Sequence, residues 1–226
     1  MSDEELALFG HWICPYVSRV QFALHQRRIP YTLIDVPPTA ARPRGYVVPP
    51  EFVAHSPRGE VPLVRLGQEY RADSLPILAW LEERLEAPSL LPPERAELVW
   101  ARAHALDREL YAAMIGVYYG TDPGRIAAAS EAVSASLATL AGWLEEGPYL
   151  AGPAPTLADA VAAPFFVRRG GLEELGLTAV LPPAVAAYEA RLAALDGGRA
   201  VAWSPAQTAE FVDRFERYRA RRAVGR

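Results

Sequence analysis

The sequence predicts two domains of different class: a mixed α/β domain with the element order βαβββα, followed by an all-α domain built as a helical bundle. Short strand-like runs alternate with helical runs over roughly the first 86 residues, and the rest of the chain shows helical periodicity only. The 226 residues exceed what one small core needs, and 51% of them are hydrophobic, so two cores can be filled. We place the domains at 1–86 and 94–226, with a proline-rich linker between them.

Apolar spacing and proline positions define the elements of the first domain. In chain order they are a strand at 6–9, a helix that starts at Pro15 and ends before Pro30, a strand at 31–35, a hairpin with strands at 61–66 and 69–71, and a helix from Ser74 to about residue 85. The first strand, helix and second strand predict a right-handed crossover between parallel strands. The turn at Gly67 predicts that the last two strands are antiparallel.

Glycine and proline divide the second domain into five helical stretches. They are predicted at 94–119, 123–146, 157–169, 183–195 and 205–222. At the start of the third stretch, Thr156 and Asp159 have the spacing of a capping box, in which the carboxylate accepts from the backbone N–H of the capping threonine. This pair is expected to serve folding rather than ligand binding.

Charge and hydropathy argue against several classes of function. The formal net charge of −4 gives no overall attraction to nucleic acid or to an anionic membrane. No apolar run reaches bilayer-spanning length, and the acidic first residues do not resemble a signal peptide. We therefore expect a cytoplasmic protein without a nucleic-acid or membrane partner. The sequence shows no metal-ligand cluster, phosphate-binding glycine loop or serine-histidine-acid signature.

The end of the chain is basic. It carries six arginines, at 214, 217, 219, 221, 222 and 226, against the single acidic residue Glu216. Cations near the C-terminus of a helix suit the helix dipole. We expect a solvated helix end, and contact with an acidic partner is the alternative.

The single cysteine, Cys14, lies where the first strand gives way to the first helix, immediately before Pro15. The amide groups of the first turn and the positive end of the helix dipole favour a thiolate over a thiol at such a position. The sulfur is then a nucleophile near neutral pH. One cysteine cannot form an intrachain disulfide, which suits a reducing compartment. The alternative is a buried, inert cysteine, a common fate of this residue.

Four segments, in this order and spacing, resemble the glutathione transferase family. They read CPYVSRV at 14–20, GEVPLV at 59–64, ADSLPI at 72–77 and TLADA at 156–160. The resemblance covers nearly the whole chain. It implies a thioredoxin-like glutathione-binding domain, an all-helical domain that lines the co-substrate site, and a homodimer. The cysteine, in place of the commoner tyrosine or serine, resembles the omega-like and lambda-like classes, which usually transfer thiols.

The resemblance implies thiol transfer through a single cysteine. A dithiol site of the glutaredoxin type carries a second cysteine at the position of Val17, so here glutathione itself has to resolve the intermediate. The second substrate is then a small disulfide or an activated electrophile. The Cys14 thiolate attacks it, a mixed disulfide with glutathione forms, and a second glutathione cleaves that disulfide. Two other functions remain open: a catalytically silent binding or regulatory module of the same fold, and a glutathione-conjugating transferase or isomerase.

The resemblance also implies which residues bind glutathione. Val61 and a cis Pro62 pair through the backbone with the cysteinyl unit; an ordinary trans proline at a strand start is the alternative. Asp73 and Ser74 stand at a helix N-terminus, where amide groups and a hydroxyl suit the γ-glutamyl carboxylate and Asp73 suits the α-ammonium group. Relatives more often carry Glu or Gln at the position of Asp73, and a plain helix cap is the alternative.

The glycyl carboxylate of glutathione needs a cation or a strong donor, and the chain contains no lysine. His55, Arg42 and Arg44 are the candidates, and a solvated loop charge is the alternative for each. His11, three residues before Cys14, is a candidate for tuning the thiolate by a hydrogen bond or a positive charge. A turn histidine that faces water is the alternative.

One predicted helical face of the second domain carries Trp100, His104 and Tyr111 at three- and four-residue spacing. The resemblance implies that this face, with Trp203 and with Tyr16 of the first domain, binds an apolar or flat co-substrate. A stripe of core residues is the alternative.

Overall fold

A computed structural model describes residues 5–224 of the chain. It divides into two compact units, and the division falls between Leu90 and Leu91. The acidic start of the chain, residues 1–4, and Arg226 of the basic tail lie outside the described residues. In the described part, no helix is long and apolar enough to cross a membrane.

The first unit contains a four-stranded mixed sheet with helices. Its elements are β1 (Leu6–Gly10), α1 (Pro15–Gln26), β2 (Thr32–Asp35), α2 (Pro50–His55), β3 (Leu63–Leu66), β4 (Glu69–Ala72) and α3 (Ser74–Arg84). The strand order is β2-β1-β3-β4; β1 pairs with β2 in parallel, and the other two pairings are antiparallel. The parallel crossover and the hairpin that the sequence predicts are therefore confirmed.

The central strand β1 is buried at all five positions, as its apolar run predicts. Gly10 ends this strand where α1 packs closely against it. A Cβ atom at Gly10 would lie 2.6 Å from a methyl carbon of Val17, so only glycine allows this approach. The close packing fixes the start of α1 next to the end of β1.

The helix α2 was not expected from the sequence, which shows only a proline-rich irregular stretch before it. It is six residues long, it begins at Pro50, and Phe52 is its one buried residue. A single buried position creates no helical periodicity. Phe52 packs near Phe9, with ring centroids 6.1 Å apart. This contact joins residues far apart in the chain, so no local sequence pattern predicts it.

The second unit is all-helical, as predicted. Its helices are α4 (Ala96–Arg108), α5 (Leu110–Tyr119), α6 (Pro123–Trp143), α7 (Leu157–Glu174), α8 (Pro183–Ala194), α9 (Asp196–Val201) and α10 (Pro205–Val224). The first predicted stretch is two helices, because the chain breaks at Glu109 (φ −105°, ψ −63°). The short helix α9 was not expected either. Neither feature is marked by a proline, and Gly197 and Gly198 of α9 favour a loop prediction.

The capping box at the start of α7 is confirmed: Thr156 and Asp159 form both of its reciprocal contacts. The basic tail is only partly solvated. Arg219 of α10 donates to the carbonyl oxygens of Val117 and Leu175, at 2.6 and 2.9 Å, and these carbonyls lie at the C-terminal ends of α5 and α7. Arg219 therefore helps to fix α10 in its own unit.

Candidate active site

Three chain segments meet at one edge of the sheet, where β1 ends and β3 begins. Phe9 pairs with Leu63 across β1 and β3, and Leu63 pairs with Ala72 across β3 and β4. The residues that follow β1, precede β3 and follow β4 are therefore neighbours. Among them are Cys14, Val61, Pro62, Asp73 and Ser74, all of which the sequence predicted as site residues.

Cys14 is the N-cap residue of α1, with extended backbone angles (φ −82°, ψ 120°) and Pro15 as the first helical residue. Its N–H donates to the His11 carbonyl at 3.0 Å. Its carbonyl accepts from both the backbone N–H and the hydroxyl of Ser18, at 3.1 and 3.2 Å. These contacts hold the residue at the end of the 12-residue helix where the backbone dipoles favour a negative charge.

The sulfur of Cys14 lies against the segment that enters β3. Its Sγ is 3.8 Å from the carbonyl oxygen of Val61, and only 5% of Cys14 is exposed. The Val61–Pro62 peptide bond is cis, which confirms that part of the sequence prediction. The thiol and the backbone of the cis-proline segment thus form one small polar spot within a hydrophobic surrounding.

The N-terminus of α3 completes this edge. Ser74 is the first residue of the helix and is buried, whereas Asp73 is exposed. Asp73 has φ 69° and ψ 131°, a conformation rare for a residue other than glycine and costing on the order of 1 kcal/mol. Its carboxylate forms an ion pair with Arg58. No local sequence pattern marks Arg58, a loop residue 15 positions before Asp73.

Arg19 is a second residue of this region to which the sequence pattern assigned no role. It lies on α1, its exposed fraction is 0%, and its Nη1 donates to the hydroxyl oxygen of Ser74 at 3.1 Å. Its Cζ lies 4.8 Å from the ring centroid of Tyr16. Helical spacing could have indicated its burial, because Arg19 lies four residues before the buried Ala23 and so on the side of the helix that faces the core.

The candidates for a glycyl-carboxylate contact are placed differently from one another. His55 is exposed and stacks on Tyr70, with ring centroids 3.6 Å apart. The hydroxyl of Tyr70 donates to Glu51 at 2.8 Å, and this bond raises the pKa of Tyr70. Arg42 donates to two loop carbonyls at 3.1 and 2.8 Å, so it shapes the loop, and Arg44 is exposed.

His11 is held inside the turn that precedes Cys14. Its Nδ1 accepts from the backbone N–H of Ile13 at 3.2 Å, which places the ring proton of the neutral form on Nε2. Nε2 lies 3.9 Å from a carboxylate oxygen of Asp35. With 15% of its side chain exposed, His11 is not a histidine that simply faces water. Its influence on the thiolate stays a prediction.

The predicted co-substrate residues of the helical unit are spread over α4, α5 and the short segment between α9 and α10. Trp100 and His104 are neighbours on α4, with ring centroids 5.8 Å apart, and His104 is exposed. Tyr111 follows the break, on α5; it is buried, and its hydroxyl donates to a backbone carbonyl of α7 at 2.9 Å, contacts typical of a packing residue. Trp203 lies 4.7 Å from the guanidinium of a buried arginine of α7. Tyr16 belongs to the first unit, on α1.

Comparison with known proteins gives the family of this chain. Residues 8–89 match the model of the glutathione S-transferase N-terminal domain, and residues 114–196 match that of the C-terminal domain. The chain belongs to the glutathione S-transferase family. The resemblance that the sequence motifs indicate is therefore confirmed, and so is the fold class.

Among curated relatives, a probable chloroplastic glutathione S-transferase DHAR2 of Oryza sativa subsp. japonica is 29% identical over 155 residues, 67% of this chain and 50% of that protein. Glutathione S-transferase DHAR2 of Arabidopsis thaliana is 38% identical over 88 residues, 38% of this chain and 37% of that protein. The matched part of this chain thus spans half or less of the length of these relatives. Two relatives are named chloroplastic, so the cytoplasmic location stays a prediction.

Solved glutathione S-transferase structures share the fold. A rice enzyme in complex with glutathione has a TM-score of 0.82 at 21% identity, covering 94% of this chain and 96% of that one. Glutathione transferase Omega 3C from Trametes versicolor has a TM-score of 0.80 at 21% identity, covering 97% and 94%. At this identity the likeness concerns the fold alone.

Proposed function

We propose that this glutathione S-transferase is a glutathione-dependent thiol transferase or reductase whose nucleophile is Cys14. The observation that carries the proposal is the position of the sulfur, at the N-cap of α1 and 3.8 Å from the Val61 carbonyl of the cis-proline segment. A helix N-terminus stabilises a thiolate, and the thiolate is the reactive form of cysteine. The family of the chain supports glutathione as the thiol substrate.

Glutathione is proposed to bind along the sheet edge. Its cysteinyl unit pairs with the backbone of Val61 beside Pro62, and its γ-glutamyl end reaches Asp73 and Ser74 at the N-terminus of α3. Amide N–H groups at a helix N-terminus bind carboxylates well. For the glycyl carboxylate, the exposed His55 and Arg44 are favoured over Arg42, whose guanidinium already donates to two loop carbonyls.

The proposed reaction is two successive thiol–disulfide exchanges. The Cys14 thiolate attacks the glutathione sulfur of a mixed disulfide, the S–S bond of that substrate breaks, and the substrate leaves as a thiolate that takes a proton from water. A second glutathione thiolate then attacks the Cys14–glutathione disulfide. Oxidised glutathione leaves, and the Cys14 thiolate is restored. Because the chain has one cysteine, no protein thiol competes for the second step.

The curated relatives support the reductase form of this activity, because DHAR in their names denotes glutathione-dependent dehydroascorbate reductase. Dehydroascorbate is therefore proposed as the first small acceptor to assay, beside a glutathione mixed disulfide. It contains no S–S bond, so in this case two glutathione thiols supply the two electrons and two protons, and the products are ascorbate and oxidised glutathione. The aromatic residues of the helical unit remain candidates for binding such an acceptor. The homodimer implied by the family also stays a prediction.

The first test is intact-mass spectrometry after incubation with oxidised glutathione, on the wild type and on Cys14→Ser. The expected result is one glutathione adduct on the wild type, none on the variant, and loss of the adduct on addition of reduced glutathione. Disulfide-reductase activity of the wild type, followed across pH, is expected to persist below neutral pH, because a stabilised thiolate stays ionised there.

A wild type that binds glutathione on an affinity column but forms no adduct contradicts the thiol-transfer mechanism and favours a conjugating transferase. A wild type that neither binds glutathione nor forms an adduct contradicts the whole proposal and favours a catalytically silent binding module. Retained reductase activity in Cys14→Ser excludes Cys14 as the nucleophile.

A further inference from the structure

A buried guanidinium lies beneath the N-terminus of α3. Arg19 is among the largest fully buried side chains of the described residues, with an exposed fraction of 0%. Burying a charge is costly unless nearby groups compensate for it. The position of this charge, one hydrogen bond away from the first residue of α3, suggests that it serves the proposed glutathione site.

The hydrogen bond between Arg19 and Ser74 sets the direction of the serine hydroxyl. Nη1 of Arg19 donates to Oγ of Ser74 at 3.1 Å, and a guanidinium has donors but no acceptor. The hydroxyl hydrogen of Ser74 therefore cannot point toward Arg19. It is directed elsewhere, as a donor, at the end of α3 where an anionic group is proposed to bind.

The N-terminus of α3 has few amide donors of its own. Pro76, the third residue of the helix, carries no N–H, and the N–H of Ile77 already donates to the Asp73 carbonyl at 2.9 Å. The amides of Ser74 and Leu75 remain for a ligand. A hydroxyl donor and a nearby positive charge then supply a larger share of the binding than at a helix end with a full set of amides.

The charge of Arg19 also opposes a local repulsion. A carboxylate bound at the N-terminus of α3 lies next to the carboxylate of Asp73, and like charges at short range disfavour binding. Arg58 pairs with Asp73 from the solvent side, where water screens the pair. Arg19 acts from the buried side, where screening is weaker and its charge has the greater effect on a bound anion.

We propose that Arg19 is a positioning residue for the γ-glutamyl carboxylate of glutathione. It fixes the Ser74 hydroxyl as a donor and adds positive charge behind the helix N-terminus. This inference rests on the proposed glutathione site and goes beyond it. It attributes the recognition of the γ-glutamyl carboxylate in part to Arg19, which acts through Ser74 and does not itself contact the ligand.

The test compares two ligands by isothermal titration calorimetry on the full chain. One is reduced glutathione, and the other is 4-aminobutyryl-cysteinyl-glycine, which lacks only the γ-glutamyl carboxylate. The measured quantity, for the wild type and for each variant, is the dissociation constant of the analogue divided by that of glutathione. A large ratio means that the γ-glutamyl carboxylate contributes strongly to binding. This ratio reports on the carboxylate and is insensitive to a general loss of binding.

In Arg19→Met the ratio is expected to fall roughly ten-fold or more, the size of a lost charge-assisted contact. Arg19→Gln is expected to lose nearly as much, whereas Arg19→Lys keeps the charge and retains most of the ratio. Ser74→Ala is expected to lower the ratio several-fold. It is a small change, so it tests the hydroxyl even if the methionine variant fails to fold.

Arg168→Met is the matched control. Arg168 is equally buried, it lies in the helical unit, and its Nη1 donates to the Pro164 carbonyl at 2.9 Å. Its loss is expected to lower stability and leave the ratio unchanged. A folded Arg19→Met or Ser74→Ala variant with the wild-type ratio, or an equal fall in Arg168→Met, overturns the inference while the glutathione site stands. A wild type that does not bind glutathione overturns the proposed function and this inference with it.

Discussion

Replacing Asp159 with alanine is expected to destabilise the helical unit strongly without weakening the affinity for glutathione. The carboxylate is fully buried and accepts four hydrogen bonds. The donors are the backbone N–H groups of Leu150 (3.0 Å) and Thr156 (2.7 Å) and the hydroxyls of Thr156 (2.9 Å) and Tyr188 (2.6 Å). Asp159 therefore joins the start of α7 to α8 and to the segment before it.

The expected loss in free energy of unfolding is about 3–5 kcal/mol at neutral pH. Each buried donor left without an acceptor costs roughly 1–3 kcal/mol, and three of the four donors, the two amides and the enclosed Tyr188 hydroxyl, cannot turn toward water. Relief of the buried negative charge offsets part of the loss. A loss of this size is a large fraction of the roughly 5–15 kcal/mol that stabilises a typical domain.

The assay is chemical denaturation followed by circular dichroism, with glutathione titrations on the folded proteins. Tyr188→Phe is the matched control, since it removes one of the four donors and leaves the carboxylate in place. It is expected to cost about 1 kcal/mol. An Asp159→Ala protein of wild-type stability, or one that is folded but impaired in glutathione binding, refutes the assignment of Asp159 to folding.

The stability difference between wild type and Asp159→Ala is expected to depend on pH. Burial raises the pKa of the Asp159 carboxyl above its usual value of 3.8, although hydrogen bonds from Leu150, Tyr188 and Thr156 oppose the change. The native state therefore binds this proton more tightly than the unfolded state does. The stabilisation that this tighter proton binding gives the native state is complete below pH 3.8 and declines as the pH rises through the native pKa. The stability difference between wild type and Asp159→Ala is therefore larger in acid than at neutrality. A difference that grows as the pH rises contradicts this reasoning.

The remaining predictions concern packing. Arg27→Met is expected to lower the free energy of unfolding of the first unit by about 3–5 kcal/mol. Arg27 donates to three backbone carbonyls near the end of α3, and it pairs with Glu82, whose side chain is only 6% exposed. A variant with wild-type stability in thermal denaturation contradicts this prediction. Gly198→Ala is expected to cost about 3 kcal/mol, because its Cβ would lie 1.9 Å from a backbone carbonyl oxygen. Gly142→Ala is the matched control, because a Cβ atom there meets nothing within 4 Å. It is expected to be neutral or to stabilise the protein by up to about 1 kcal/mol. Equal losses of stability in the two glycine variants refute the steric clash at Gly198.

Local pattern predicted the elements that carry a strong signal along the chain. The strand that became β1 is continuously apolar, the helix after it begins at Pro15, and the capping pair Thr156 and Asp159 marks the start of α7. Elements whose stability comes from one distant contact were missed. The helix α2, anchored by Phe52 against Phe9, is such a case.

The predicted site divides in the same way. Cys14 and the helix start at Ser74 follow from residue type and local position, because each lies at the start of a helix. The cis bond before Pro62 follows from the family resemblance, since an isolated Val-Pro pair favours a trans bond. Arg19 and Arg58 were missed because their roles depend on contacts across 55 and 15 residues of chain. No local pattern encodes the partner of a long, flexible side chain.

The sequence by itself determined the two classes of domain, the order of most elements, the position of the single cysteine at a helix start and the family motifs, since these depend on hydrophobic periodicity, proline, glycine and capping residues. Only the tertiary structure decided which side chains meet. Pairing of β1, β3 and β4 brings Cys14 to the Val61 carbonyl and places α3 beside them, and packing of α1 turns Arg19 toward Ser74. Those contacts arise from sheet register and the burial of distant apolar surfaces, and no short stretch of the chain contains that information.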